Sequence, residues 1–559
     1  MKLRTLGFGS LVGVMMAAPM IAMMYVAQHL VKLSFTPFDL FDWIARLLPG
    51  PVVTFGIDRM VDMLLLFGAS VSGTAKTAEQ GMAVGLFFVG VVVATIIVFW
   101  YVEARDQAEW GGLGPLLGVI LGIPAGIVTA YIGQSTLHPA INFLWVFALF
   151  ITWGNLTVKS GRKLLTVPAT PAELESAEDG EEVQEERSVQ VIDRRKFLIQ
   201  MGVATATITV AGAGLGRTLA VSERERLENE LAAIQSRQMP DMPPMIELPN
   251  EADPVKPVLG TRPEYTAVRD HYQIFIRSQP TIIDGDTWEL PITGLVDNPV
   301  NLTLSDIRNN YKPRNEFVTL SCISNRVGGD LISTTYWTGV SVQDILAEVR
   351  PQSNARYMII KSGDGFYETV DLDLIMSDER IMFAYAWDGR PIPFDHGFPL
   401  RIWIPDRFGM KQPKWITEIE IVKDYRAGYW VERDWDEDAI VRATSVIDTV
   451  AVDSVVEKDG QKFVPIGGIA YAGVRGISKV EIQVYNRGEW YEAELRKPLS
   501  EATWVIWRVD WPFEEGNHDF EVRAVEADGT PQIEEFNSPR PSGATGLHHK
   551  SEVIEAKDA

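Results

Sequence analysis

Cys322 is the one cysteine in 559 residues, so the thiol has no partner within the chain. It is either a small buried hydrophobe or a chemically used thiolate. Its setting decides between them. A strand-like run, Phe317 to Leu320, delivers the thiol to a turn rich in polar and glycine residues. Ser321, Ser324, Asn325 and Arg326 flank it there, and core packing has little use for such neighbours. Thiolates suit soft metals, and a nearby cation lowers the thiol pKa. The residues therefore favour a metal-ligating cysteine, with Phe317–Gly339 as the stretch around which the chain is organised.

This stretch resembles the cofactor loop of the sulfite oxidase family of molybdenum enzymes, in which one Cys binds molybdenum held by a pyranopterin. The resemblance continues through DGRPIPFDHGFPLRIWIPDRFGMKQPKW, Asp388–Trp415, and covers roughly the last half of the chain in the family's order and spacing. It implies a molybdenum-molybdopterin cofactor with Cys322 as the metal ligand and Asn325 in the same loop. It also implies a mixed α/β domain that buries the pterin. IFIRSQP is similar to an early family segment whose Phe, Arg and His at alternate positions face the cofactor. Here these positions are Phe275, Arg277 and Gln279, and alternation would set them on one strand face. Gln279 keeps hydrogen bonding but removes a titratable group.

Asp364, in KSGDGFYETV, matches a family Asp that touches the pterin, although Asp next to Gly also makes a generic turn. His396 and Arg401, in HGFPLR, match a cofactor-contacting His and Arg. Gln412–Pro413–Lys414 match a stretch whose backbone and Lys hold the phosphate end; a solvated surface role for Lys414 carries similar weight. Arg277 and Arg326 are the expected pocket cations near substrate oxygens.

Two departures bear on the substrate. Sulfite oxidases carry two consecutive Arg after Cys-x-x-Asn, whereas here Val327 follows Arg326. Trp435 aligns loosely with a Tyr near the metal. Losing one cation from a buried dianion site costs about 2–5 kcal/mol, so a less charged or organic substrate is favoured over sulfite. Two-electron oxygen-atom transfer is the expected chemistry. Reduction of sulfoxides or N-oxides on the same cofactor is the alternative, and a non-catalytic membrane scaffold or sensor that kept the fold is another. An electron carrier is expected as partner.

The elements that must position this site begin with a helical region. Leu6–Gln28, Met82–Tyr101, Gly114–Ile132 and Ala140–Val158 are apolar and long enough to cross a bilayer of ~30 Å. Lys2 and Arg4 set the N-terminus in the cytoplasm. Four crossings return the chain there at Lys159, Arg162 and Lys163, as the positive-inside rule requires. Asp58, Arg59 and Asp62 would be costly at a helix centre, so residues 39–71 are expected to be amphipathic or re-entrant rather than a fifth crossing.

Residues 1–163 are thus a transmembrane bundle and 164–193 an acidic cytoplasmic linker. Arg194 and Arg195 before Phe197 and Leu198 resemble an internal twin-arginine export signal, and 194–220 is a further anchor. Everything beyond it is then extracytoplasmic: a stalk and proline-rich linker over 221–263, an α+β molybdopterin domain over 264–433, an immunoglobulin-like β-sandwich over 434–537 and a tail over 538–559. The family's sandwich suggests a homodimer. Trp504, Trp507 and Trp511 are read as packing. The net charge of −23 excludes a nucleic-acid surface, which needs a clustered basic face.

Overall fold

The computed structural model describes residues 3–104, 112–165, 180–238 and 247–555. Lys2, residues 166–179 of the acidic linker and parts of the proline-rich linker and of the tail lie outside the described residues. The chain divides into two compact units. One comprises Met1–Leu48, Thr77–Glu230 and Arg277–Gln279; the other comprises Pro49–Lys76, Leu231–Ile276 and Pro280–Ala559.

The first unit is helical: α1 (Leu3–Val31), α2 (Thr36–Leu47), most of α4 (Val71–Glu103), α5 (Leu113–Ile132), α6 (Pro139–Leu165) and most of α7 (Gly180–Gln238). Among the described residues, five stretches are long and apolar enough to cross a membrane: Leu3–Val31, Val71–Glu103, Leu113–Ile132, Pro139–Leu165 and Arg194–Ile234. Val12, Met16, Met24, Phe99, Trp153 and Leu164 form the core among α1, α4 and α6. The α5–α6 pair packs backbone to backbone. Gly114, Gly118, Gly122 and Gly126 recur every fourth residue on α5, and a Cβ at Gly118 would stand 2.5 Å from the Ile151 Cα. Small residues at this spacing let two helices approach where apolar burial alone gives them no drive to associate.

Residues 180–193 of the expected linker are helical, since α7 is continuous from residue 180. Its Glu- and Gln-rich start is made of good helix formers. The stalk read at 222–237 continues the same helix.

The second unit contains α3 (Gly50–Leu66) and all the strands. A mixed sheet runs β2 (Val300–Thr303), β1 (Glu289–Gly294), β10 (Ile416–Val422), β5 (Tyr357–Ser362), β6 (Tyr367–Asp371), with β1 and β10 parallel. A second runs β3 (Pro313–Ser321), β4 (Ile332–Ser341), β7 (Met382–Trp387), β8 (Arg390–Pro391), with β9 (Arg401–Trp403) on β7.

Two antiparallel sheets make a sandwich. The first runs β11 (Thr444–Val450), β13 (Gln461–Tyr471), β17 (Val505–Pro512), β16 (Glu494–Leu495), with β12 (Val456–Lys458) also on β13. The other runs β15 (Tyr491–Glu492), β14 (Ile477–Val484), β18 (Gly516–Glu526), β19 (His548–Ile554). Val464, Ile466, Trp507 and Val509 of the first sheet meet Val480, Ile482, Phe520 and Val522 of the second in one core.

Residues 548–554, within the tail read over 538–559, form the edge strand β19, paired with β18 from Gly516↔Ile554 to Val522↔His548. Alternation buries Ile554 in the sandwich core, which holds the strand. Phe275, Arg277 and Gln279 are not on a strand, because residues 271–282 have no ladder partner and bend at 276–279.

Replacing Gly118 with Val should destabilise the helical unit by about 1–3 kcal/mol through overpacking, read as an earlier thermal transition of the detergent-solubilised chain. Trp507 is fully buried, and Trp507→Ala should cost about 3–5 kcal/mol, read by denaturant unfolding.

Candidate active site

Nine register pairs between β3 and β4 carry the chain to Cys322, one residue past the end of β3, and back. The connecting loop is closed by short-range bonds. Cys322 N–H donates to the Leu331 carbonyl, Asn325 N–H to the Cys322 carbonyl and Gly329 N–H to the Arg326 carbonyl, each at 2.9 Å. The Asn325 Oδ1 accepts from Leu331 N–H at 2.9 Å. Asn325 therefore holds the loop's shape. Gly329 is required beside it, since a Cβ there would lie 2.5 Å from that same Oδ1. Cys322 is buried. Burial pushes its thiol up, while hydrogen bonds from Ser324 and the charge of Lys414 pull it down.

Around the sulfur the second unit gathers cations, rings and neutral histidines. Arg401, at the start of β9, is 4% exposed. Its Nη1 donates to the His396 carbonyl at 3.0 Å, and its guanidinium lies 4.4 Å from the Trp337 ring centroid. Burial pulls Arg401 down to about 10. Lys414 donates to the Ile274 carbonyl at 2.9 Å and stands over the rings of Phe275 and Trp415, at 5.0 and 4.7 Å. Burial and then Arg401 push Lys414 down to about 7, with Asp364 opposing.

His396 packs edge-on against Trp387 and His271, at 4.8 and 5.3 Å between centroids. Burial keeps His271 neutral, down to about 3, and drives His396 lower still than its usual value for the same reason. Asp364 is buried and accepts from Phe366 N–H at 2.9 Å, closing its own turn. Gln412 donates to the carbonyls of Ile404 and Arg407. The turn that carries it, Gly409–Lys411, is pinned by Lys411, whose Nζ meets Glu368 Oε1 at 2.7 Å with both side chains buried.

Arg401 Nε, His271 Nε2 and Gln412 Oε1 are buried with no partner among the described residues. Unmade hydrogen bonds of this kind cost about 1–3 kcal/mol each. One buried arginine, a half-buried lysine whose charge acts on the Cys322 thiol, and three orphaned polar atoms fit a polar, multiply hydrogen-bonding group with an anionic end. A molybdopterin with its phosphate is such a group.

Phe275, Cys322, Asp364, His396, Arg401, Gln412 and Lys414 thus share one neighbourhood. Arg277 and Gln279 group with the helical unit instead. Arg277 Nε is 3.9 Å from Asp42 Oδ2 and its Nη2 donates to the Ile132 carbonyl. Gln279 Oε1 accepts from Gln28 at 2.8 Å. Arg326 is held by Asp62 at 2.6 Å.

Sequence reasoning passed over Arg540. Its Nη1 donates to Ser324 Oγ at 3.0 Å, two residues from the thiol, and its side chain is 8% exposed. Nothing in SPRPSG marks that arginine; only the fold brings it to the loop. Tyr272 was also passed over. Burial raises its phenol well above the usual range, and charge on Cys322 adds to that.

Residues 277–430 match the oxidoreductase molybdopterin binding domain. Nitrate reductase (NADPH) of Fusarium oxysporum is 29% identical over 276 residues, 41% of this chain and 30% of the relative. Mitochondrial sulfite oxidase of Macaca fascicularis is 26% identical over 284 residues, 43% of this chain and 52% of the relative. The chain spans 22% to 52% of the length of these and the similar curated relatives. A solved structure of the sulfane dehydrogenase SoxCD from Paracoccus pantotrophus aligns at TM-score 0.43 and 18% identity, over 50% of this chain and 81% of that one. Residues 277–430 are thus a molybdopterin-binding oxidoreductase domain, in a chain similar over 41% to 43% of its length to these nitrate reductase and sulfite oxidase relatives.

Proposed function

We propose that the chain is a membrane-anchored oxidoreductase of the sulfite oxidase type. Its site lies on the extracytoplasmic side, with Cys322 as the molybdenum ligand. The observation that carries this reading is the pairing of buried Arg401 and half-buried Lys414 with orphaned donors and acceptors beside the Cys322 loop. When bound, the molybdenum-molybdopterin group supplies two-electron redox chemistry with oxygen-atom transfer. The chain's residues orient and hold it. Arg401 and Lys414 offer charge to its anionic end, Gln412 and His271 offer unpaired hydrogen-bonding atoms, and Trp337, Trp387, Phe275 and Trp415 keep water from the ring faces.

Placement outside the cytoplasm is supported by charge. Arg162 and Lys163 close α6 and Arg194 and Arg195 open the last apolar stretch, so both basic ends suit the cytoplasmic side. Twin-arginine export of a folded, cofactor-loaded domain accords with that order. A separate electron carrier, the lipid bilayer and a homodimer built on an immunoglobulin-like sandwich complete the reading.

Of the two reaction directions, reduction of an uncharged sulfoxide or N-oxide is favoured by one contact. Arg326, the cation expected for a substrate oxyanion, is already engaged by Asp62. A scaffold without catalysis is the contrasting outcome.

Metal and pterin analysis of the intact protein should find molybdenum and molybdopterin near one per chain; their absence leaves the scaffold. Cys322→Ser should retain the fold, read by thermal melting, yet lose molybdenum and turnover with artificial electron carriers. Full metal content and unaltered turnover in that variant would defeat the ligand assignment. Arg401→Gln should lower pterin occupancy, because a buried charge-assisted contact is worth about 2–5 kcal/mol, read by pterin extraction.

A further inference from the structure

Helix α3 is amphipathic in an unusual sense. Its exposed side is mostly apolar, with Phe55 63%, Met63 59% and Leu66 82% exposed, and carries Arg59, whose guanidinium lies over the Phe55 ring. Its polar residues turn inward along a stripe at every fourth position, Gly50, Thr54, Asp58 and Asp62. Each member of the stripe meets a residue of the catalytic unit. A Cβ at Gly50 would stand 2.4 Å from the Arg433 carbonyl oxygen, so only glycine permits the approach. Thr54 Oγ1 accepts from Trp435 Nε1 at 3.4 Å. Asp58 pairs with Arg540. Asp62 Oδ1 lies 2.6 Å from Arg326 Nη2, and its Oδ2 lies 3.1 Å from Arg59 of its own helix. Past the helix end, Ser70 and Ser72 donate to Asp330 Oδ2 at 2.7 and 2.9 Å. Residues 50–72 are thereby fixed along the loop that runs from Cys322 to Leu331.

The two arginines so engaged are the cations of that loop. Arg326 belongs to it, and Arg540 binds Ser324 Oγ, whose hydrogen bonds reach the Cys322 thiol. Both would otherwise present positive charge to an incoming oxyanion. Arg326 holds the Asp62 carboxyl below its usual range, so this carboxylate is charged at neutral pH.

We propose that Asp58 and Asp62 are specificity-determining residues: by neutralising Arg540 and Arg326 they exclude small oxyanions and favour uncharged substrates. The inference rests on the preceding reading of the site as the redox centre. An oxyanion must displace a covalently tethered carboxylate at each arginine, whereas a neutral oxide meets a rim of balanced charge. Val327, where a second arginine would stand in sulfite oxidases, removes charge in the same direction.

The test is calorimetric titration of inorganic sulfate into the purified full-length protein and its variants at low ionic strength. The wild type and Asp62→Glu should bind sulfate weakly. Asp62→Asn should bind it at least tenfold more tightly, and the gain should vanish in Asp62→Asn with Arg326→Gln. Asp58→Asn should give a smaller gain that depends on Arg540. Equal sulfate affinity in the wild type and Asp62→Asn, or a gain that survives Arg326→Gln, overturns the proposal. Thermal melting confirms that each variant is folded before it is titrated. Molybdenum content is measured on the same samples, and its absence overturns the redox reading without altering the sulfate result.

Discussion

Partly compensated positive charge governs the second unit. Arg401 and Lys414 are set among rings, backbone carbonyls and histidines that burial keeps neutral. Charges taken out of water cost several kcal/mol each unless paired, and these two also repel one another. Asp364 offsets part of that at Lys414, while the Arg401 Nε is left with no partner among the described residues. A protein holds such a cluster when an anionic ligand belongs there. The surrounding architecture follows from this demand. β9 places Arg401, the turn pinned by Lys411 and Glu368 places Gln412 and Lys414, and the β3–β4 hairpin brings the thiol to them.

The same electrostatic logic, with its sign reversed, explains α3. Two carboxylates on a helix with a mostly apolar exterior are costly facing lipid or an apolar core. They are tolerated because each finds an arginine across a packed interface. The helix and the loop arginines are consequently one electrostatic unit.

Much of this was legible in the chain. A single thiol at a strand end among polar residues pointed to its use, and the order Cys322, Asp364, His396, Arg401, Lys414 was visible because local motifs carry it. The apolar stretches are equally plain, since length and composition define them. Asp58 and Asp62 left a signal, two acids four residues apart where acids are costly, but not the identity of their partners. That depends on Arg326 and Arg540, which lie hundreds of residues away. The alternation argument for Phe275, Arg277 and Gln279 failed because side-chain alternation needs a ladder, and residues 271–282 have none. Arg277 and Gln279 instead satisfy their polar groups on Asp42, the Ile132 carbonyl and Gln28. The helix over residues 180–193 was legible only in the helix propensity of its Glu- and Gln-rich sequence, not in its acidity.

The bond from Arg540 to Ser324 joins positions 216 residues apart. Such a closure waits on the docking of everything between, and contacts of large sequence separation make folding slow. The thiol loop therefore acquires its final electrostatic environment late in folding. A chain emerging from the ribosome exposes Cys322 long before its brace exists.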